Sequence, residues 1–124
     1  MTDLLLQDQT YKIIGACMEV HRELGGGFAG AVYKDALAIE FNQKKVYFEK
    51  EVRFDVYYKD LLLPHSYFAD LVVYDEIIVE VKAVKQISDA HVAQILNYMK
   101  ASNRKVGLLV NFSNRSLEHK RFVL

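Results

Sequence analysis

Asp70, Glu80 and Lys82 are charged residues set into two otherwise apolar runs, Phe68-Ala69-Asp70-Leu71-Val72-Val73-Tyr74 and Ile77-Ile78-Val79-Glu80-Val81-Lys82-Ala83. Ionised groups inside apolar strands are costly to desolvate unless a partner compensates them. Two carboxylates beside one ammonium suit a divalent cation and a phosphate. Mg²⁺ takes a few carboxylate or carbonyl oxygens and keeps several waters. So held, it polarises a phosphodiester and lowers the pKa of a bound water. Lys82, a compact point charge, is placed to orient that water or to stabilise charge developing on the phosphate. The plainer alternative is a cross-strand salt bridge on an exposed sheet face.

Strand alternation puts Glu80 and Lys82 on one face and points Val81 to the other. Whether Asp70 joins them depends on the turn. A three-residue loop, Tyr74-Asp75-Glu76, pairs Val73 with Ile77 and sets Asp70 opposite Glu80 on the same face. A two-residue loop at Asp75-Glu76 pairs Leu71 with Glu80 and sends Asp70 to the other side. The catalytic reading therefore requires an odd-length loop or a bulge. No His or Cys cluster has zinc spacing, and no Gly-rich phosphate loop follows a strand. Gly25-Gly26-Gly27 precedes a helix with no strand leading into it, and reads as an inter-helix turn.

The elements that must position these residues follow from periodicity. Ile13, Ile14, Cys17, Met18 and Val20 or His21 recur at helical spacing, predicting an amphipathic helix from about Leu4 to Leu24, stopped by the glycines. A second helix is expected from about Ala29 to Lys45, with Val32, Tyr33, Ala36, Leu37, Ile39, Glu40 and Phe41 on or near its packed side. Val46 to Lys59 reads as a long strand in which Phe48, Val52, Phe54, Val56 and Tyr58 share one parity. Lys59-Asp60 is the next turn, and Leu61-Leu62-Leu63-Pro64 leads into the strand carrying Asp70. The β-branched and aromatic runs around Asp70 and Glu80 form a buried antiparallel hairpin. Ser88 is a good N-cap, with Asp89 in the first turn, for a helix running to about Ser102. Lys105 to Phe112 is a short buried strand, and reaching it from the Glu80 strand through a helix makes a β-α-β unit with parallel strands. The expected architecture is α/β, a mixed sheet flanked by helices with the core order αβββαβ.

At 124 residues the chain is expected to form a single domain, 1–124, with a sizeable core. A hydrophobic content of 52% with 26% charged residues excludes a disordered chain. No apolar run approaches the ~18 residues needed to span a membrane. Leu4-Leu5-Leu6 lies between acidic residues with no basic n-region, so secretion is not expected. The single cysteine, Cys17, fits a small core residue in a reducing compartment, and the expected location is cytoplasmic. Net charge is zero, which gives little non-specific DNA affinity. The charge is nevertheless uneven: residues 1–89 carry an acidic excess, while Lys100, Arg104, Lys105, Arg115, Lys120 and Arg121 make the remainder basic. That basic segment either faces a polyanion or is a solvated helix face and tail.

Asp70 followed by Glu80-Val81-Lys82 resembles the D…(D/E)-x-K signature of the PD-(D/E)XK nuclease superfamily, whose core order matches the elements above. More closely, the chain from about Ile13 to Val123 resembles the bacterial GxxExxY family. The carrying segments are Glu19-Val20-His21-Arg22-Glu23-Leu24-Gly25, Val32-Tyr33-Lys34-Asp35-Ala36-Leu37, Ala69-Asp70-Leu71-Val72-Val73, Ile78-Val79-Glu80-Val81-Lys82-Ala83, His91-Val92-Ala93-Gln94-Ile95-Leu96-Asn97-Tyr98 and Val106-Gly107-Leu108-Leu109-Val110-Asn111-Phe112. The resemblance implies a restriction-endonuclease-like fold and a Mg²⁺ (or Mn²⁺) site at Asp70 and Glu80 with the Val81 carbonyl nearby. It also implies Lys82 as the catalytic lysine, Gln94 as an active-site support, and DNA as the nucleic-acid partner. Gln94 also has a plain reading as a helix-surface hydrogen-bonding residue. His91 either approaches phosphate or is an ordinary polar residue. Tyr33 and Tyr98 are explained by packing with a hydrogen-bonded hydroxyl.

One position departs from the pattern. The family's glutamate, three residues after Gly27 and three before Tyr33, is Gly30 here. In related nucleases a helix carboxylate there assists metal binding; Glu19, Glu23 or Asp35 are candidate substitutes off the matching position. The leading expectation is thus a metal-dependent nuclease hydrolysing DNA phosphodiesters, with catalysis weakened or lost at Gly30. The alternatives are a catalytically inactive nuclease-fold module binding nucleic acid or a protein, and a small self-associating protein such as a homodimer.

Overall fold

Ile13, Ala16, Cys17 and Val20 recur at intervals of three, one and three residues, so a helix turns all four to one side, where they are buried. The computed structural model describes residues 5–124 and forms this helix, α1, over Gln7–Leu24. The expected start near Leu4 lies outside the described residues. Helix α2, Gly30–Gln43, buries Tyr33, Leu37, Ala38 and Phe41. Met18, Val32 and Ile39, expected on packed sides, are instead exposed, because the stripes set by their neighbours leave them on the outer surface.

The glycine turn between the two helices is clamped from both sides. The Tyr33 hydroxyl donates to the Gly25 carbonyl (2.6 Å) and accepts from the Phe28 N–H (3.2 Å), while its ring stacks on Phe112 at 4.7 Å. Gly26 runs so close to the segment after Phe112 that an added Cβ would lie 2.4 Å from the Ser113 carbonyl oxygen.

Strands β1 (Phe48–Tyr58), β2 (Leu61–Val73), β3 (Ile77–Lys82), β4 (Val106–Asn111) and β5 (Glu118–Val123) form one sheet in chain order. Pairing is antiparallel except between β3 and β4, which are parallel and joined through α3, Asp89–Ser102. Ser88 caps α3 as expected: its hydroxyl accepts from the His91 N–H (3.3 Å), and its own N–H donates to His91 Nδ1 (3.0 Å). Strand β5 replaces the solvated tail, one of the two readings of the basic C-terminal segment. Only Phe122 and Val123 are apolar in it, too few for a strand signal, yet it pairs with β4 along its whole length. The buried Asn111 side chain locks that end of the sheet, bonding both the N–H and the carbonyl of Val84, the Ser113 N–H and Glu118 Oε1.

Helices α1 and α2 cover one face of the sheet, meeting Leu71, Val73, Ile77, Val79, Val106, Leu108 and Val110. Helix α3 covers the other, meeting Ala69, Val72, Ile78 and Leu109. Alternation breaks at one level of β1 and β2. Phe48 packs with the α1/α2 core, whereas Val52 and Phe54, of the same parity, pack on the α3 side. Leu71 and Val73 differ from Ala69 and Tyr67 in the same way. The residues of one parity in the strand expected from Val46 to Lys59 therefore do not share one face. The reversal falls at Glu51, whose φ of +53° is abnormal for a strand, and at Asp70 across from it. Among the described residues, no helix is long and apolar enough to cross a membrane.

Candidate active site

Residues 74–76 make the turn between β2 and β3, with Tyr74 and Asp75 at positive φ and the Glu76 N–H closing onto the Val73 carbonyl (3.1 Å). Val73 pairs with Ile77, as the three-residue loop requires, and the ladder continues to Leu71 opposite Val79. There it stops, and side chains replace it. The Asp70 N–H donates to Glu80 Oε2 (2.7 Å), and the Val81 N–H donates to Asp70 Oδ2 (2.9 Å). Each carboxylate thus binds the backbone of the opposite strand, and the two strands part around the pair.

The convergence of Asp70 and Glu80 was expected from alternation on a flat face. The observed cause is different: Asp70 sits where β2 switches faces, so its carboxylate reaches across to β3 between the layers. In a strand, a residue's N–H and C=O point to the same lateral side. Val81 donates toward Asp70, so its carbonyl also faces the opening between β2 and β3.

Lys82 points to α3, where its Nζ donates to Gln94 Oε1 (2.6 Å), and Gln94 Nε2 donates to the Tyr98 hydroxyl (3.0 Å). The Tyr98 ring packs against Tyr67 at 5.3 Å. No ion pair joins Lys82 to either carboxylate, and Glu80 is only 2% exposed. An exposed cross-strand salt bridge is therefore not what these residues form. His91 is spent on the α3 cap.

Two residues without a sequence-based role complete the cluster. Lys34, on α2, donates to Asp70 Oδ1 (3.3 Å) and pairs with Glu51 on β1. Lys34 follows Gly30 by four residues and so shares its helix face, a spacing that could have drawn attention to it. Glu51 had no local signal, since only the backbone reversal turns it toward α2. Gly30 itself faces the site: a Cβ there would lie 4.0 Å from the Val81 carbonyl oxygen with nothing nearer. The candidate substitutes for its missing carboxylate are elsewhere. Glu19 pairs with Arg22, Asp35 with Lys50 (3.1 Å), and Glu23 is exposed. Among the described residues, no three His, Cys, Asp or Glu side chains converge.

A profile of the PD-(D/E)XK nuclease superfamily matches residues 7–122. The chain belongs to this superfamily. The fold agrees: the crystal structure of SSO0001 superposes with a TM-score of 0.57 at 16% identity, over 76% of this chain and 49% of that one. This chain thus spans about half the length of that structure. No curated protein matches the sequence.

PD-(D/E)XK nucleases generally use divalent metal ions, and the donor set here can be tested against such an ion. Burial, then the negative charge of Asp70, pushes the Glu80 carboxyl up to about 8, against the opposing pull of the Asp70 N–H, Lys82 and Lys34. A cation between the two carboxylates would relieve that repulsion. Asp70, Glu80 and the Val81 carbonyl offer hard oxygens to one opening, which fits an ion that fills its remaining positions with water.

Proposed function

We propose that this protein is a metal-dependent nuclease of the GxxExxY type that hydrolyses phosphodiester bonds in DNA, weakened by Gly30. The observation that carries the reading is the reciprocal pair of bonds holding Asp70 and Glu80 at the parting of β2 and β3, with Lys82 two residues on. Asp70, Glu80 and the Val81 carbonyl are the ligands for Mg²⁺ or Mn²⁺. Bound there, the cation would polarise the phosphodiester and acidify an attacking water. Lys82 supplies positive charge to the phosphate as negative charge builds on it. Gln94, anchored by Tyr98, is a positioning residue that fixes the Lys82 ammonium. The reduced, buried Cys17 suits a cytoplasmic protein.

The test is cleavage of single-stranded, duplex and branched DNA with Mg²⁺ or Mn²⁺, compared with Asp70→Ala and Lys82→Ala. Metal-dependent cutting lost in both variants is the expected result. No cutting of any substrate, together with no metal binding by calorimetry, would sink the enzymatic reading. A second reading, a catalytically inactive nuclease fold that binds nucleic acid or a protein, is favoured by Gly30 standing where a helix carboxylate is expected.

A further inference from the structure

Among the described residues, Lys34 is the one ammonium in direct contact with a candidate metal ligand. Asp70 Oδ2 already accepts from the Val81 N–H at 2.9 Å, so Oδ1 has the greater lone-pair capacity for a cation once Lys34 leaves it. Lys34 Nζ lies on that oxygen at 3.3 Å. A metal ion ligated by Oδ1 at about 2.1 Å would crowd the ammonium with like charge. The second partner of Lys34, Glu51, is itself a strand residue in the left-handed region. Such a backbone state persists only where its surroundings impose it, and it clusters at functional sites. Desolvation opposes the charge on Lys34, but Glu51 and Asp70 outweigh it, so the ammonium stays protonated.

We propose that Lys34 is a built-in counter-cation that bridges Asp70 and Glu51 when no metal is bound and gives up Asp70, keeping Glu51, when a divalent ion enters. The proposal rests on the metal-site reading above and gives that site a regulator: metal affinity is set by competition with a tethered amine. Glu51 is then a positioning residue acting through Lys34.

Calorimetry with Mn²⁺ on the full chain tests it. Lys34→Gln is expected to bind about tenfold tighter than the natural protein, and Glu51→Gln several-fold weaker. Simple field effects would give the same signs, so the deciding variant is the double one. If Glu51 acts through Lys34, Glu51→Gln changes nothing in the Lys34→Gln background. An undiminished Glu51 effect there, or Lys34→Gln binding no tighter, overturns the competition. Lys34→Met repeats the measurement should Lys34→Gln fold poorly. The two readings fail differently. Mn²⁺ binding that Asp70→Asn abolishes but Lys34→Gln leaves unchanged removes the competition alone. No binding by any folded variant removes the metal site, and the competition with it.

Discussion

Glu80 concentrates the electrostatic cost of the site. It is nearly sealed from solvent, and its carboxyl rises from 4.5 to about 8 through burial first and the charge of Asp70 second. A folded-state value above the unfolded one means the native protein holds a proton that the unfolded chain has released. The resulting stabilisation is fully present below pH 4.5 and is lost as pH rises through about 8. Without divalent ions, denaturant melts should therefore show the natural protein losing stability relative to Glu80→Gln across that window, by on the order of a few kcal/mol. A difference that does not change with pH would place the titration on another group. With the proposed metal site, binding must expel this proton, so Mn²⁺ affinity should rise with pH up to about 8. Titrating Mn²⁺ in buffers of different ionisation enthalpy would detect the released proton.

At the scale of elements, α2 and the turn before it decide what the β2–β3 opening receives. Gly30 presents only backbone to the Val81 carbonyl, and a longer side chain has open space there. Gly30→Glu should restore a third carboxylate to the opening and also replace a glycine in a helix with a better helix former. The expected outcome is tighter Mn²⁺ binding and increased, or newly measurable, DNA cleavage; unchanged binding in a folded variant would mean that position 30 does not reach the ion. Gly26 plays the opposite part, because a Cβ there has no room against the Ser113 carbonyl, a backbone atom that cannot swing aside. Gly26→Ala should cost about 1–3 kcal/mol in thermal or denaturant melts, by forcing the inter-helix turn away from the segment after β4. The helix and hairpin signals were readable along the chain because each is local: apolar spacing, Ser88 as a cap, and the turn at 74–76. Strand β5 was not, because its pairing with β4 rests on backbone hydrogen bonds that polar residues such as His119 and Lys120 make as well as apolar ones.

The whole molecule is a sheet with two cores, and Cys17 reports on the larger one. It lies between α1 and the sheet, fully buried, with burial pushing its thiol up to about 12. An aromatic disulfide reagent should therefore leave it unmodified in the native protein and react at a rate that follows opening of the α1/α2 core. Saturating Mn²⁺ should slow that reaction, since a ligand that binds only the native state suppresses opening. Fast labelling without denaturant would contradict the packing of α1 on the sheet.

The chain order of helices and strands as far as β4, and the three-residue β2–β3 turn as one of two lengths that decided whether Asp70 meets Glu80, were available from residue types and spacing, because each depends on contacts between near neighbours. The face reversal at Glu51 and Asp70, the arrival of Lys34 on Asp70 and the open ground beside Gly30 were not. Those depend on how α2 lies across two strands distant from it in sequence, and only packing of the layers sets that distance.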